Sequence, residues 1–284
     1  MMARIVLLAA LVAVAACAKP ADGWTTLDAR RLTVAEIDAT AERLIAANDV
    51  KGLALALIAD GEVRYVKTYG LRDVEAGLAL DPGTVMYGAS LTKATFAYFV
   101  MQLVDEGLID LDKSIADYLP KPLPEYDQYA DLDGDERWRK ITFRILLSHT
   151  PGFANFRFFD RNGDYDENGK LAIYFEPGSR YAYSGEGIFL AQRVLEWGLG
   201  LDVGAEMQRR IFEPLAMTKT SMTWREDFAE NLAHSYALDG ARLEHDQRER
   251  VRAPGSMDTT IDTGRDFSPP SFAATALAPR RKPK

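Results

Sequence analysis

Ser90-Leu91-Thr92-Lys93-Ala94-Thr95-Phe96-Ala97-Tyr98-Phe99-Val100-Met101-Gln102-Leu103-Val104-Asp105-Glu106 is the stretch on which the reading of this chain turns. It is nearly continuous and apolar, with Phe96, Phe99, Val100 and Leu103 recurring at helical spacing and Gly107 placed to end a helix. A buried central helix is predicted. At its head, Ser90 and Lys93 are three residues apart, which puts both side chains on one face a turn from each other. A serine hydroxyl is a weak nucleophile until a base takes its proton, and a lysine serves as that base when burial lowers its pKa. Phe96 and Phe99 would supply the desolvation, and a helix N-terminus would favour a developing oxyanion. The bland reading of the same four residues is Ser90 as a helix cap and Lys93 in solvent.

Outward from this helix, Thr33 and Glu36 form a capping box ahead of Val34, Ile37, Ala41, Leu44 and Ile45, so an amphipathic helix is expected to Ala47. Leu53 to Ile58, Asp60-Gly61 and Val63 to Tyr69 read as two strands joined by a tight turn. Together they suggest a helix on an antiparallel sheet. Leu119 to Arg139, rich in Pro, Asp and Tyr, reads as an excursion loop before a short helix from Ile141 to Leu147. In the polar stretch 160–170, Asp160, Asn162, Asp164 and Asp166 alternate as calcium ligands do. Tyr165 stands where the turn wants glycine and Leu171 where a closing Glu belongs, so a solvated acidic loop is the better reading and no metal is expected.

A second motif gives the tetrapeptide its context. Glu176-Pro177-Gly178-Ser179-Arg180-Tyr181-Ala182-Tyr183-Ser184-Gly185 sets Tyr183 at the end of a Pro-Gly turn, just before the helical stretch from Ile188 to Trp197. A phenol held near a lysine can pass a proton to a leaving group. Ser90, Lys93 and Tyr183 would then be nucleophile, base and relay.

Tyr87-Gly88-Ala89-Ser90-Leu91-Thr92-Lys93, Leu146-Leu147-Ser148-His149-Thr150-Pro151-Gly152, Pro177-Gly178 through Tyr183-Ser184, and Pro214-Leu215-Ala216-Met217 occur in this order. In them the chain resembles the serine beta-lactamase-like family, nearest to class C beta-lactamases, low-molecular-mass penicillin-binding proteins and related esterases. The resemblance spans about residues 30 to 260. It implies an α+β fold of the beta-lactamase/transpeptidase kind, an α/β sandwich with an antiparallel sheet plus a mostly helical domain. It also implies that Ser90 is the acylated nucleophile, Lys93 its base and Tyr183 the tyrosine of the Tyr-x-Asn element. No cofactor is implied. The substrate would be a small molecule or peptide: a beta-lactam, a peptide ending in D-alanine, or a simple ester.

Two departures qualify this. Gly185 stands where the family usually has Asn, removing a side-chain amide expected to bond the substrate and the lysine, so potent beta-lactam hydrolysis is not expected. The family's third motif, Lys or His followed by Thr or Ser and Gly on an edge strand, has no match after Tyr183. The nearest string is Asp262-Thr263-Gly264, whose carboxylate would repel a substrate anion. Pro254 to Ile261 resembles the family's approach to a further helix, yet 262–284 lacks an apolar period and reads as a disordered tail. The expectation is a reading-frame change or cut near Ile261, with the C-terminal strands missing, an open sheet edge and a tendency to aggregate.

At the other end, Arg4 and the apolar run Ile5 to Ala16 have the form of a signal peptide and are too short for a spanning helix. Val14-Ala15-Ala16-Cys17 resembles the bacterial lipobox, so Cys17, the only cysteine, is the expected lipidation site. That implies a membrane partner through a lipid anchor and a periplasm-facing place in the bacterial envelope. Ala18, in place of the acidic residue associated with inner-membrane retention, points to the outer membrane. The organisation predicted is thus a signal peptide over 1–16, a linker over 17–30, a beta-lactamase-related domain over 31–261 and the tail. Within the domain, 31–80 would be the helix-and-hairpin part and 81–250 the mainly helical lobe.

Composition agrees with an ordinary globular protein: 284 residues, 47% hydrophobic and 27% charged. A net charge of −8 argues against nucleic acid as a partner. There is no Gly-x-Ser-x-Gly elbow, and His149, His234 and His245 read as structural or surface histidines. Two functional readings stand: a serine hydrolase working through an acyl-enzyme, or a lipid-anchored pseudoenzyme that keeps the fold without turnover.

Overall fold

The structure, a computed structural model, describes residues 23–26, 28–59, 61–159 and 164–261. These fall into two compact units divided between Val50 and Lys51. The first holds a two-stranded ribbon, β1 (Trp24–Thr25) with β2 (Arg31–Leu32), and helix α1 (Val34–Ala47). The capping box read from the sequence forms as expected: the Thr33 hydroxyl accepts from Glu36 N–H at 3.3 Å, and Glu36 accepts from Thr33 N–H at 2.8 Å.

The second unit opens with the antiparallel hairpin β3 (Gly52–Ala59) and β4 (Glu62–Asp73), to which β5 (Leu78–Ala79) adds in the order β3-β4-β5. Gly61 at the turn has φ of 76°, a conformation that glycine adopts without steric cost. Strand β4 runs on past the predicted Tyr69, because Gly70 and its neighbours continue the ladder. Among the described residues β3 is an edge of this sheet, and Ile58 on it is 68% exposed.

Strand β6 (Met86–Tyr87) leads into a 3-10 turn, Ala89–Leu91, and then helix α2 (Thr92–Asp105). Phe96, Phe99, Val100 and Leu103 are all fully buried, as their spacing predicts. They pack with α3 (Phe143–Leu147) and α4 (Gly185–Leu199) into the main core, where Leu190, Ala191, Val194 and Leu195 line the facing side of α4. Burying each such side chain contributes about 1.5–3 kcal/mol. The Ser184 hydroxyl caps α4 by accepting from Gly187 N–H, and Gly200 ends it with a left-handed φ of 66°.

One expectation is overturned here. The stretch from Leu119 to Arg139 is no loose excursion but a chain of 3-10 turns that buries Leu123, Tyr129, Leu132 and Trp138 in the main core. Prolines and aspartates set the turns, while the interspersed aromatic and leucine side chains supply apolar area to bury.

After α5 (Val203–Met207), the chain forms the short ribbon β7 (Ser235–Tyr236) with β8 (Arg242–Leu243) and returns through β9 (Asp258–Thr259). Strand β9 pairs antiparallel with β6, Met86 opposite Thr259 and Tyr87 opposite Asp258. This short pairing carries the segment 254–257 to the Ser90 turn. The mixed α+β architecture is the one expected. Among the described residues no helix is long and apolar enough to cross a membrane. Cys17, the signal-peptide and linker readings up to residue 22, the Asp262-Thr263-Gly264 string and the tail lie outside the described residues, as do Asp160 and Asn162. No metal-binding group of acidic, His or Cys side chains occurs among the described residues.

Candidate active site

Ser90 sits one step earlier than predicted: it lies in the 3-10 turn, and the α-helix proper starts at Thr92. Ala89 takes a left-handed φ of 43°, which a non-glycine residue adopts only under constraint, and this lifts Ser90 out of the preceding strand direction. Three contacts hold the turn. Gly88 N–H donates to Met257 O at 2.8 Å; the Thr92 hydroxyl donates to Ala89 O at 2.5 Å and accepts from Met257 N–H at 3.1 Å. Gly88 is required there, since a Cβ would stand 2.9 Å from Met257 O.

Lys93, one turn on, is buried at 7% exposure, which removes the solvated-lysine reading. Its Nζ donates to Ser90 Oγ at 2.9 Å and to the carbonyl of Pro254 at 2.5 Å. The second contact fixes the amine on the nucleophile, because a long flexible side chain tied at one further point has few other rotamers. Ser90 itself is exposed.

Tyr183 closes the group. Its ring centroid is 4.9 Å from Lys93 Nζ. Burial pushes the phenol up, but polar contacts with Lys93 and Ser90, and the Lys93 charge, outweigh it and hold the group below the ordinary phenol value. Behind it lies His149, whose ring centroid is 4.5 Å from that of Tyr183 at an interplanar angle of 34°. His149 Nδ1 accepts from Ser184 N–H at 3.1 Å, and its carbonyl accepts from Ala182 N–H at 2.9 Å. Burial, opposed by a Ser184 backbone hydrogen bond and aided by the Lys93 charge, sets His149 below the usual imidazole value. The ring is thus a neutral backing for Tyr183, tied on both sides of it in sequence.

Ser90, Lys93 and Tyr183, predicted as one group, are brought together. The sequence reading missed two members: the Pro254 carbonyl, which carries no side-chain signal, and the packing of His149 on Tyr183. Gly185 is also explained. A Cβ there would stand 2.8 Å from Asn155 O and 3.0 Å from Asn155 Oδ1, so the Asn155 carboxamide, which accepts from Gly185 N–H at 3.0 Å, fills the space. Glu186, the next residue, is paired at 2.8 Å with Arg157 in a bridge of low exposure.

A hydroxyl, an amine and a phenol held together at the start of a buried helix are groups that can support acyl transfer. The beta-lactamase family profile matches residues 37–271. The chain belongs to the beta-lactamase family. It is 28% identical to esterase EstB of Burkholderia gladioli over 277 residues, covering 90% of this chain and 64% of that protein. It is 29% identical to the lovastatin esterase of Penicillium rubens, covering 73% of this chain and 58% of that one. With penicillin-binding protein 4 of Amycolatopsis lactamdurans it shares 30% identity over 63% of this chain and 46% of the relative. The chain therefore spans about half to two thirds of the length of these relatives. Among solved structures, the octameric penicillin-binding protein homologue from Pyrococcus abyssi superposes with a TM-score of 0.64 at 23% identity, over 82% of this chain and 55% of that one. A class C beta-lactamase gives a TM-score of 0.64 at 18% identity, over 80% and 61%. At these identities the structural likeness speaks for the fold.

Proposed function

We propose that this beta-lactamase-family chain is a serine hydrolase that cleaves an ester or amide through an acyl-enzyme on Ser90. The observation that carries the reading is the buried Lys93 amine 2.9 Å from Ser90 Oγ and anchored on the Pro254 carbonyl. As Oγ attacks the substrate carbonyl, its proton passes to Nζ; Tyr183, beside both groups, hands a proton on to the leaving oxygen or nitrogen. Water then releases the acyl group by the reverse proton path. Esterase relatives at 28% and 29% identity, and Gly185 where the penicillin-recognising motif has Asn, favour an ester over a beta-lactam as substrate.

Intact-mass detection of a covalent adduct tests this. Soluble protein from Lys19 onward is exposed to a fluorescent penicillin and, separately, to an activated ester. An ester adduct absent from Ser90→Ala is expected. Folded protein that gives no adduct with either probe would overturn the reading in favour of a pseudoenzyme. The proposal includes lipid attachment at Cys17, which radiolabelled palmitate incorporation lost in Cys17→Ala would support and unlabelled full-length protein would refute.

A further inference from the structure

A cleft of about 470 Å³, bounded by Pro254, Gly185, Phe156, Phe158, Phe189 and Arg252, adjoins the Ser90–Lys93 pair through Pro254. Its size is that of a small-ligand site. Pro254 belongs to both places: its carbonyl accepts from Lys93, and the residue lines the cleft. Gly185 adds no side chain to the floor. Phe156 and Phe158 leave 46% and 42% of their surface in water. Exposed aromatic rings lining a cleft that shares Pro254 with the Lys93 anchor are a surface that an apolar ligand group would cover.

The charges of the cleft are unequal in kind. Arg157 also lines it, but its guanidinium is met by both Glu186 oxygens, at 3.1 and 2.8 Å, and by the Gln128 carbonyl at 2.6 Å. That pair is internally neutral. Arg252 differs: its side chain is 57% exposed and meets Asp246 at 4.0 Å, beyond hydrogen-bond length. Asp246 is shared with Arg248 at 3.6 Å. Among the described residues, Arg252 is thus a weakly matched cation beside an aromatic wall.

We propose that this cleft is the acyl subsite and that it selects an acyl group carrying both an apolar ring and a free carboxylate, the ring lying against Phe156, Phe158 and Phe189 and the carboxylate on Arg252. The proposal rests on the acyl-enzyme reading of Ser90. In the reaction the Ser90 Oγ–acyl bond forms as the ester C–O bond breaks, and the alcohol leaves with the proton taken from Ser90. Water then frees a dicarboxylic acid. A bidentate guanidinium–carboxylate contact in a part-apolar cleft supplies the discrimination.

The test separates binding from chemistry. Binding to Ser90→Ala is measured by calorimetry for the half-anilide of 3-phenylglutaric acid and for the same compound with its carboxyl capped as a methyl ester. The free acid is expected to bind about tenfold tighter, as a charge-assisted contact implies. Arg252→Gln in the Ser90→Ala background should erase that preference, and Phe158→Ala should weaken both compounds alike. Equal binding of the two compounds to Ser90→Ala, or a preference that survives Arg252→Gln, overturns the subsite. If the preference is found while wild-type protein takes no acyl group from an activated ester, the subsite stands as a binding site and the hydrolase reading fails.

Discussion

The Lys93 amine lies 2.5 Å from the carbonyl oxygen of Pro254, a residue 161 positions further along the chain. That contact ties helix α2 to the returning segment before β9 and holds the amine against Ser90. Lys93→Met keeps most of the stem and removes the amine. Methionine fills the same space but leaves the Pro254 carbonyl without its donor, so stability should fall by about 1–3 kcal/mol. Acylation by an activated ester should fall by about 10²–10⁴-fold, read by stopped-flow burst kinetics.

Gly185→Asn restores the residue that the family motif carries, yet it should not restore activity. The new Cβ would stand 2.8 Å from Asn155 O, a backbone atom, so the Asn155 loop must shift. A loss of about 1–3 kcal/mol is expected by denaturant titration, as for an overpacked site, without any gain in penicillin turnover. Adding Asn155→Gly should recover part of the stability, because the Oδ1 at 3.0 Å is then gone.

Thr92 is the fastener of the Ser90 turn, with its hydroxyl bonded to Ala89 O and to Met257 N–H. Thr92→Val keeps the shape and leaves Met257 N–H without its acceptor in the interior, while Ala89 O keeps its bond from Thr92 N–H. A cost of about 1–3 kcal/mol is expected. The left-handed Ala89 would lose its constraint, so burst rates should fall while binding to a Ser90→Ala background stays near its original value.

Arg157 and Glu186 form a bridge with side chains only 13% and 9% exposed. Arg157→Met strands the Glu186 carboxylate in the interior and should cost about 3 kcal/mol, at the low end for a broken buried pair. The low end is expected because Glu186 sits in the first turn of α4, where the helix dipole favours its charge. The double variant Arg157→Met with Glu186→Met should be more stable than the single one, as chemical unfolding would reveal.

Stability should also fall with acidification. His149 and His234 are both held below the ordinary imidazole value of 6.5, chiefly by burial. A depressed histidine favours the fold above the unfolded value and loses that advantage as pH drops, because the unfolded chain then takes up protons that the folded chain resists. The thermal midpoint should therefore decline from about pH 7 to below pH 6, the region around an imidazole's ordinary titration. A His149→Gln variant should show a shallower decline; an unchanged slope would exclude His149 as a source.

Much of this was readable in one dimension. The period of Phe96, Phe99, Val100 and Leu103 fixed α2 and its buried face, because an apolar stripe on a helix has one stable place to go. Thr33 and Glu36 marked the start of α1, a local matter of side chain meeting backbone. The stretch 119–139 was misread as a loop, since turn-forming residues and core residues alternate in it and only packing distinguishes a buried turn from an exposed one.

By itself the sequence determined that Ser90 and Lys93, three residues apart, would meet, and it offered Tyr183 after the Pro-Gly turn, because short-range spacing suffices for contacts within one turn. Only the tertiary structure decided that Pro254 anchors Lys93, that His149 backs Tyr183 and that Asn155 occupies the space at Gly185. These contacts join distant segments, two of them through backbone or carboxamide oxygens. Such partners are set by where strands β6 and β9 pair and by how α4 packs, and no residue letter encodes a carbonyl's position.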